Sequence, residues 1–176
     1  MIATFLLLIL ITGSLSTYEI IYPERDPVIK KPTSKRVLDL RYKRDITPFV
    51  YWSEKYALKS LQPSLKILDE TCPEVSEWFR KKLKEGKVVW DQDRENYAKF
   101  NWFDRSLYIS KILFVEDNAF KAAVIVHEYK HSLQSYNTWW RANLAVFILG
   151  TDHKWIAEND ALRVENQYYL SLTEKE

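Results

Sequence analysis

The sequence has little of several residue types: one cysteine, three histidines and three glycines among 176 residues, with a net charge of only +2. A single thiol, Cys72, excludes an intramolecular disulfide framework and any zinc or iron–sulfur site built from several cysteines. The near balance of charge, together with 47% hydrophobic residues, excludes an intrinsically disordered chain. The length favours one folded domain rather than two.

Long hydrophobic runs are also lacking. The two apolar stretches, 5–11 and 142–149, are shorter than the roughly 20 residues that a membrane-spanning helix needs. The first is followed by small residues as far as Ser16, which predicts an export signal over residues 1–16 and a secreted or periplasmic protein. No lysine or arginine precedes the run, so an uncleaved membrane anchor is the rival interpretation, and an apolar element packed on the core is a third. The second stretch predicts a buried helix.

Residues 17–44 predict a proline-containing basic linker. Pro23, Pro27 and Pro32 exclude a continuous helix, and seven basic residues against one acid lie between Val28 and Arg44. A solvated connector is the favoured interpretation, although such a strip can also contact nucleic acid or an anionic membrane. No nucleic-acid-binding signature accompanies it, so nucleic acid is not the expected partner. The folded domain is then predicted over residues 45–176.

Within that domain, helical and strand patterns are grouped rather than alternating. Helices are predicted over 48–68 with a kink or break at Pro63, over 73–85, over 117–136 and over 151–171. A capping box is predicted over Thr71–Glu74, and Gly86 is predicted to end the second helix. Strand-like alternation is found in three segments: 87–90, 97–103 and 107–112. These strands predict a small antiparallel sheet.

The third predicted helix contains His127-Glu128-Tyr129-Lys130-His131, which has the H-E-x-x-H form. Because residues four apart lie on the same helix face, both imidazoles can bind one metal ion. Glu128 points elsewhere, toward the place of a metal-bound water, from which it can accept a proton and pass it to a leaving amine. The pattern therefore predicts two metal ligands and a general base.

A catalytic zinc site needs a third protein ligand and one open position. The downstream candidates are His153, Glu158, Asp160 and Glu165. Glu158 is favoured because alanines at 157 and 161 allow its helix to pack closely. His153, at the predicted helix start, and Glu165, on the same face as Glu158, remain alternatives. Asp160 is predicted to orient a histidine without binding the metal.

Together, His127-Glu128-x-x-His131 and Glu158-x-Asp160-Ala161 resemble the gluzincin type of zincin metallopeptidase. The resemblance covers about residues 97–170. It implies one Zn²⁺ bound by His127, His131 and Glu158, with Glu128 as general base. It also implies that residues 107–112 form an edge strand that aligns an extended substrate. The longer metzincin pattern is absent, because Gln134 and Asn137 stand where its glycine and third histidine would be.

The sequence thus predicts a minimal zincin-like α+β domain, in which a small antiparallel sheet packs with the H-E-x-x-H helix and a C-terminal ligand-bearing helix. The predicted function is zinc-dependent hydrolysis of peptide bonds in a peptide or protein substrate. One alternative is a catalytically inactive, zinc-stabilised binding protein that uses the basic N-terminal arm for a partner. A third reading is a nucleic-acid-binding protein centred on Lys30 to Arg44.

Overall fold

The computed structural model describes residues 26–32, 40–41, 43–44, 53–91, 95–134 and 154–173. The predicted export signal or anchor over 1–16, the apolar stretch 142–149 and the alternative ligand His153 all lie outside these residues. In the described part, four α-helices pack with a three-stranded sheet, which confirms the predicted α+β class. No helix in that part is both long enough and apolar enough to cross a bilayer.

The first two helices contact each other and are joined through a single residue, Cys72. Helix α1 spans Glu54–Thr71, and the side chain of Ser53 caps it by accepting from the Tyr56 N–H at 3.2 Å. Pro63 lies inside α1 without ending it, which excludes the break, one of the two outcomes predicted at this residue. Helix α2 spans Pro73–Lys84 and is followed by Gly86 at φ +65°, the left-handed conformation that glycine adopts easily.

The predicted capping box at Thr71–Glu74 does not form. Thr71 is the last residue of α1, and its hydroxyl donates to the Ile67 carbonyl at 2.7 Å. The same hydroxyl lies 2.6 Å from the hydroxyl of the buried Tyr168. The Glu74 carboxylate instead accepts from the Val28 N–H at 2.7 Å. Thr71 and Glu74, which the local pattern predicts to cap a helix together, each bind other partners instead.

The sheet is mixed rather than antiparallel. Strands β1 (Val88–Asp91), β2 (Ala98–Phe100) and β3 (Leu107–Ser110) lie in the order β1-β3-β2. The pair β2–β3 is antiparallel as predicted, whereas β3, which lies between the other two strands, is parallel to β1. The prediction that residues 107–112 form an edge strand is therefore wrong. Strand β2 contacts the H-E-x-x-H helix and is an edge of this sheet.

A short 3₁₀ helix at Lys111–Val115 leads into α3, which spans Asn118–Leu133. Helix α4 spans Lys154–Thr173 and packs along α3. The apolar core lies between α1, α2, α3, α4 and the sheet. Cys72 belongs to this core, and burial raises the pKa of its thiol to about 12, which keeps the thiol protonated and unreactive.

Parts of the predicted linker contact the domain. The Lys30 N–H donates to the Thr71 carbonyl at 2.7 Å, and the Ala119 N–H donates to the Arg41 carbonyl at 3.0 Å. The Asn118 amide donates to the Leu40 carbonyl at 2.7 Å. The described residues of this segment are thus anchored on α1 and on the start of α3.

Candidate metal centre

Helix α3 carries the H-E-x-x-H segment in its last two turns. It begins at an Asp117 cap, whose carboxylate accepts from the Phe120 N–H at 2.8 Å. Nearly every residue from Asn118 to His131 is buried, so this helix is surrounded by protein rather than amphipathic. A helix packed on all sides holds its final turn rigidly, which places the two histidines in a fixed frame.

His127 and His131 meet the carboxylate of Glu158 from α4. The Nε2 atoms of the two histidines lie 3.5 Å and 3.4 Å from Glu158 Oε2, and the ring centroids are 4.7 Å apart. One ligand atom from each of the three side chains lies within 4.8 Å of the other two. Atoms bound to a tetrahedral zinc at about 2.0–2.2 Å are themselves roughly 3.3–3.6 Å apart. The two nitrogens, the oxygen and the two nitrogen–oxygen distances therefore suit a zinc ion.

The second nitrogen of each imidazole has its own partner. His127 Nδ1 donates to Glu165 Oε2 at 2.8 Å, and His131 Nδ1 donates to Gln134 Oε1 at 2.9 Å. Gln134 in turn donates from Nε2 to the Ala157 carbonyl at 2.8 Å, which fixes the orientation of its amide. With Nδ1 engaged in this way, each imidazole has only Nε2 left to offer a metal ion, as metal-binding histidines do.

Glu128 stands apart from these three residues. Its side chain is 4% exposed, and its Oε2 accepts the Phe100 N–H of β2 at 2.5 Å. Burial raises the pKa of this carboxyl group, and the neighbouring His131 and His127 oppose that shift. The residue expected to act as general base is thus a buried carboxylate at the outer edge of the sheet.

The charges in the centre influence one another strongly. Burial by itself lowers the pKa of His127, but hydrogen bonds with Glu158 and Glu165 outweigh it and raise this pKa to about 10. The pKa of His131 is also raised, because its contact with Glu158 outweighs its burial. The same two contacts hold the pKa of Glu158 well below its usual range. The three groups form a compact ionic site with a side that faces solvent, since the Glu158 side chain is 54% exposed.

Two of the predicted alternatives have different places. Glu165 contacts His127 at Nδ1, the ring nitrogen that does not face Glu158, and is not one of the three clustered residues. It therefore has the orienting role expected of Asp160. Asp160 binds Lys130 at 3.1 Å and Arg163 at 2.8 Å instead. The orienting role of Gln134 was missed at the sequence level, although its position three residues after His131, at the C-cap of the helix, is a usable signal. No sequence signal pointed to the Phe100 N–H.

Comparison of the chain with protein families, with curated proteins and with solved structures gives no match. The likeness to gluzincins therefore rests on the segments 127–131 and 158–161 and on the geometry of the side chains in them.

Proposed function

We propose that this protein is a zinc-dependent metallopeptidase. The observation that carries the proposal is the convergence of His127 Nε2, His131 Nε2 and the Glu158 carboxylate, with Glu128 buried next to both histidines. Two imidazoles, one carboxylate and no thiolate form a donor set that zinc accepts and that leaves one coordination position for water or substrate.

His127, His131 and Glu158 would hold the ion, and Glu165 and Gln134 would keep the two imidazoles in the tautomer that binds it. A bound zinc supplies a Lewis acid that lowers the pKa of water to near neutrality and polarises a carbonyl group.

Glu128 is suited to move protons. Its pKa is raised by burial, which brings a carboxylate closer to the range in which a general base works at neutral pH. The Phe100 N–H orients one of its oxygens. In the proposed reaction Glu128 accepts a proton from the attacking water and later passes it to the amine that leaves.

The edge of β2 supports a peptide as the substrate. The Ser110 N–H donates to the Tyr97 carbonyl and the Asn101 N–H donates to the Ser106 carbonyl, so alternate residues of this strand face β3. The N–H of Phe100 faces the opposite way, toward Glu128. An extended peptide that pairs with the part of this edge not bound by Glu128 would place its backbone beside the proposed base.

The test compares wild-type protein with Glu128→Gln. The variant keeps the shape of the side chain and removes the carboxylate that accepts the proton. We expect zinc content equal to that of the wild type, measured by atomic emission, and a loss of peptide-library cleavage of about 100-fold or more. A variant that hydrolyses peptides as fast as the wild type would falsify this mechanism.

One observation favours the inactive alternative: the Phe100 N–H already occupies an oxygen of Glu128, and that side chain is almost fully buried. A zinc-stabilised binding protein would use the exposed Lys30, Lys31, Lys43 and Arg44 of the arm for its partner. A hydroxamate distinguishes the two functions. It raises the Tm of the zinc-loaded protein only if a coordination position is open, as catalysis requires.

A further inference from the structure

Lys130 occupies one of the two variable positions of the H-E-x-x-H pattern, and its side chain is only 1% exposed. The next residue in the chain is His131, a proposed metal ligand. Successive residues of a helix point in directions about 100° apart, so Lys130 lies on a different face of α3 from the two histidines. An ammonium group inside a protein needs charged partners, because burial removes its hydration.

Two carboxylates supply those partners. Lys130 Nζ lies 3.1 Å from Asp160 Oδ2 and 2.8 Å from Asp26 Oδ1. Arg163, three residues after Asp160 on α4, contacts the same two carboxylates at 2.8 Å and 2.9 Å. Two cations and two anions thus alternate in a closed cluster, which we call the charge clamp: Asp26, Lys130, Asp160 and Arg163.

The charge clamp and the proposed ligand set use neighbouring residues of the same two helices. Lys130 is adjacent to His131 on α3, and Asp160 is two residues from Glu158 on α4. The two residues of each pair lie in the same turn of a continuous helix, so a movement of one backbone position also moves the other. The contact between Lys130 and Asp160 therefore influences how far α4 holds Glu158 from the two imidazoles.

Asp26 comes from outside these helices. Its segment is held by hydrogen bonds of the Val28 N–H to Glu74 and of the Lys30 N–H to the Thr71 carbonyl, each 2.7 Å long. These contacts tie the segment to α1 and α2. Without Asp26, the cations of Lys130 and Arg163 would share the single carboxylate of Asp160 within the charge clamp, and their mutual repulsion would act directly between α3 and α4.

We propose that the charge clamp positions the metal centre, and that the segment 26–32 is a component of this centre through Asp26. The four residues supply no metal ligand. They act through the spacing of α3 and α4, so their effect is on the affinity and geometry of metal binding. The inference rests on the proposed function, because it requires the site to bind zinc.

The experiment uses the full chain and the isosteric variant Asp26→Asn. Zinc affinity is measured by competition with a chromogenic chelator, and ligand geometry by the visible absorption of the Co²⁺-loaded protein. We expect zinc affinity about tenfold below that of the wild type, the lower end of the range for residues behind metal ligands, together with altered Co²⁺ bands. Asp26→Glu, which keeps the charge, is expected to recover most of the affinity.

The matched control is Asp69→Asn. Asp69 is also a half-exposed carboxylate paired with an arginine, at 45% exposure against 42% for Asp26, but its partner Arg80 joins α1 to α2. This variant is expected to keep wild-type zinc affinity and Co²⁺ bands. If Asp26→Asn behaves like Asp69→Asn in a protein whose wild type binds zinc, the charge clamp has no positioning role. A wild type that binds no zinc overturns the proposed function itself.

Discussion

Two pairs of helices in this protein are each joined by an ion pair, and the two ion pairs differ in how far they are exposed to solvent. Between α1 and α2, Arg80 contacts Asp69 at 2.5 Å, with the side chains 47% and 45% exposed. Between α3 and α4, Lys130 contacts Asp160 at 3.1 Å, with the side chains 1% and 18% exposed. An exposed pair contributes about 1 kcal/mol or less, whereas removal of one partner from a buried pair costs about 3–5 kcal/mol.

The difference in exposure follows from the kinds of side chain that each pair of helices buries. Helices α1 and α2 bury apolar side chains in the core, among them Leu61, Leu65, Leu68, Val75 and Phe79, all 2% exposed or less. The last turns of α3 face α4 with histidines, carboxylates and a lysine, because these residues form the candidate centre and the charge clamp. The first pair of helices depends on apolar burial, and the second adds the matching of charges to its share of the apolar core.

The largest expected effect is at the charged helix pair. Replacement of His131 by alanine removes one of three proposed ligands, and we expect zinc affinity to fall on the order of 1,000-fold. This estimate follows because a zinc binding free energy of about 10–16 kcal/mol is divided among a few ligands. Metal content after dialysis measures the loss. Unchanged zinc stoichiometry would refute His131 as a ligand.

A change at the apolar helix pair is expected to act on stability alone. Leu68→Ala leaves a cavity at a fully buried position of α1, and the free energy of unfolding should fall by about 2–5 kcal/mol. Urea unfolding of the zinc-free protein measures this decrease. Zinc affinity of the folded fraction should match that of the wild type; a parallel fall in affinity would contradict the separation of the two helix pairs.

Glu165→Gln is expected to have an intermediate effect. The variant keeps a hydrogen-bond acceptor for His127 Nδ1 but removes the negative charge that makes the imidazole a stronger donor to metal. We expect zinc affinity to fall about 10- to 100-fold, with zinc content at saturation unchanged. Chelator competition measures the affinity. Wild-type affinity in this variant would show that the contact with His127 does not influence the metal.

The smallest expected effect is a pH dependence of the zinc-free protein. Because the pKa of His127 is raised to about 10, above the ordinary histidine value of about 6.5, its protonated form stabilises the folded state. This contribution is complete below pH 6.5 and is lost as the pH rises through about 10. The Tm of zinc-free wild type should therefore decline more over this interval than that of His127→Gln. Equal declines would show that His127 is not charged in the folded protein.

Features that depend on neighbours along the chain could be predicted from the sequence. The pairing of His127 with His131 needs only the helical repeat, and the end of α2 at Gly86 needs only the conformational freedom of glycine. The predicted antiparallel contact of β2 and β3 follows from the short turn between them. Features that depend on distant partners differed from the prediction. Examples are the parallel pairing of β1 with β3 and the hydrogen bond from the Val28 N–H to Glu74.

The sequence by itself determined that His127, Glu128 and His131 share the end of one helix, and it narrowed the acidic candidates to a few residues downstream. Only the tertiary structure decided that Glu158 meets both Nε2 atoms, that Glu165 stands behind His127, and that Asp160 pairs with Lys130. The physical reason is that helical spacing is set by local backbone hydrogen bonds. The choice among carboxylates one or two turns apart depends instead on how α4 packs against α3, which no local pattern records.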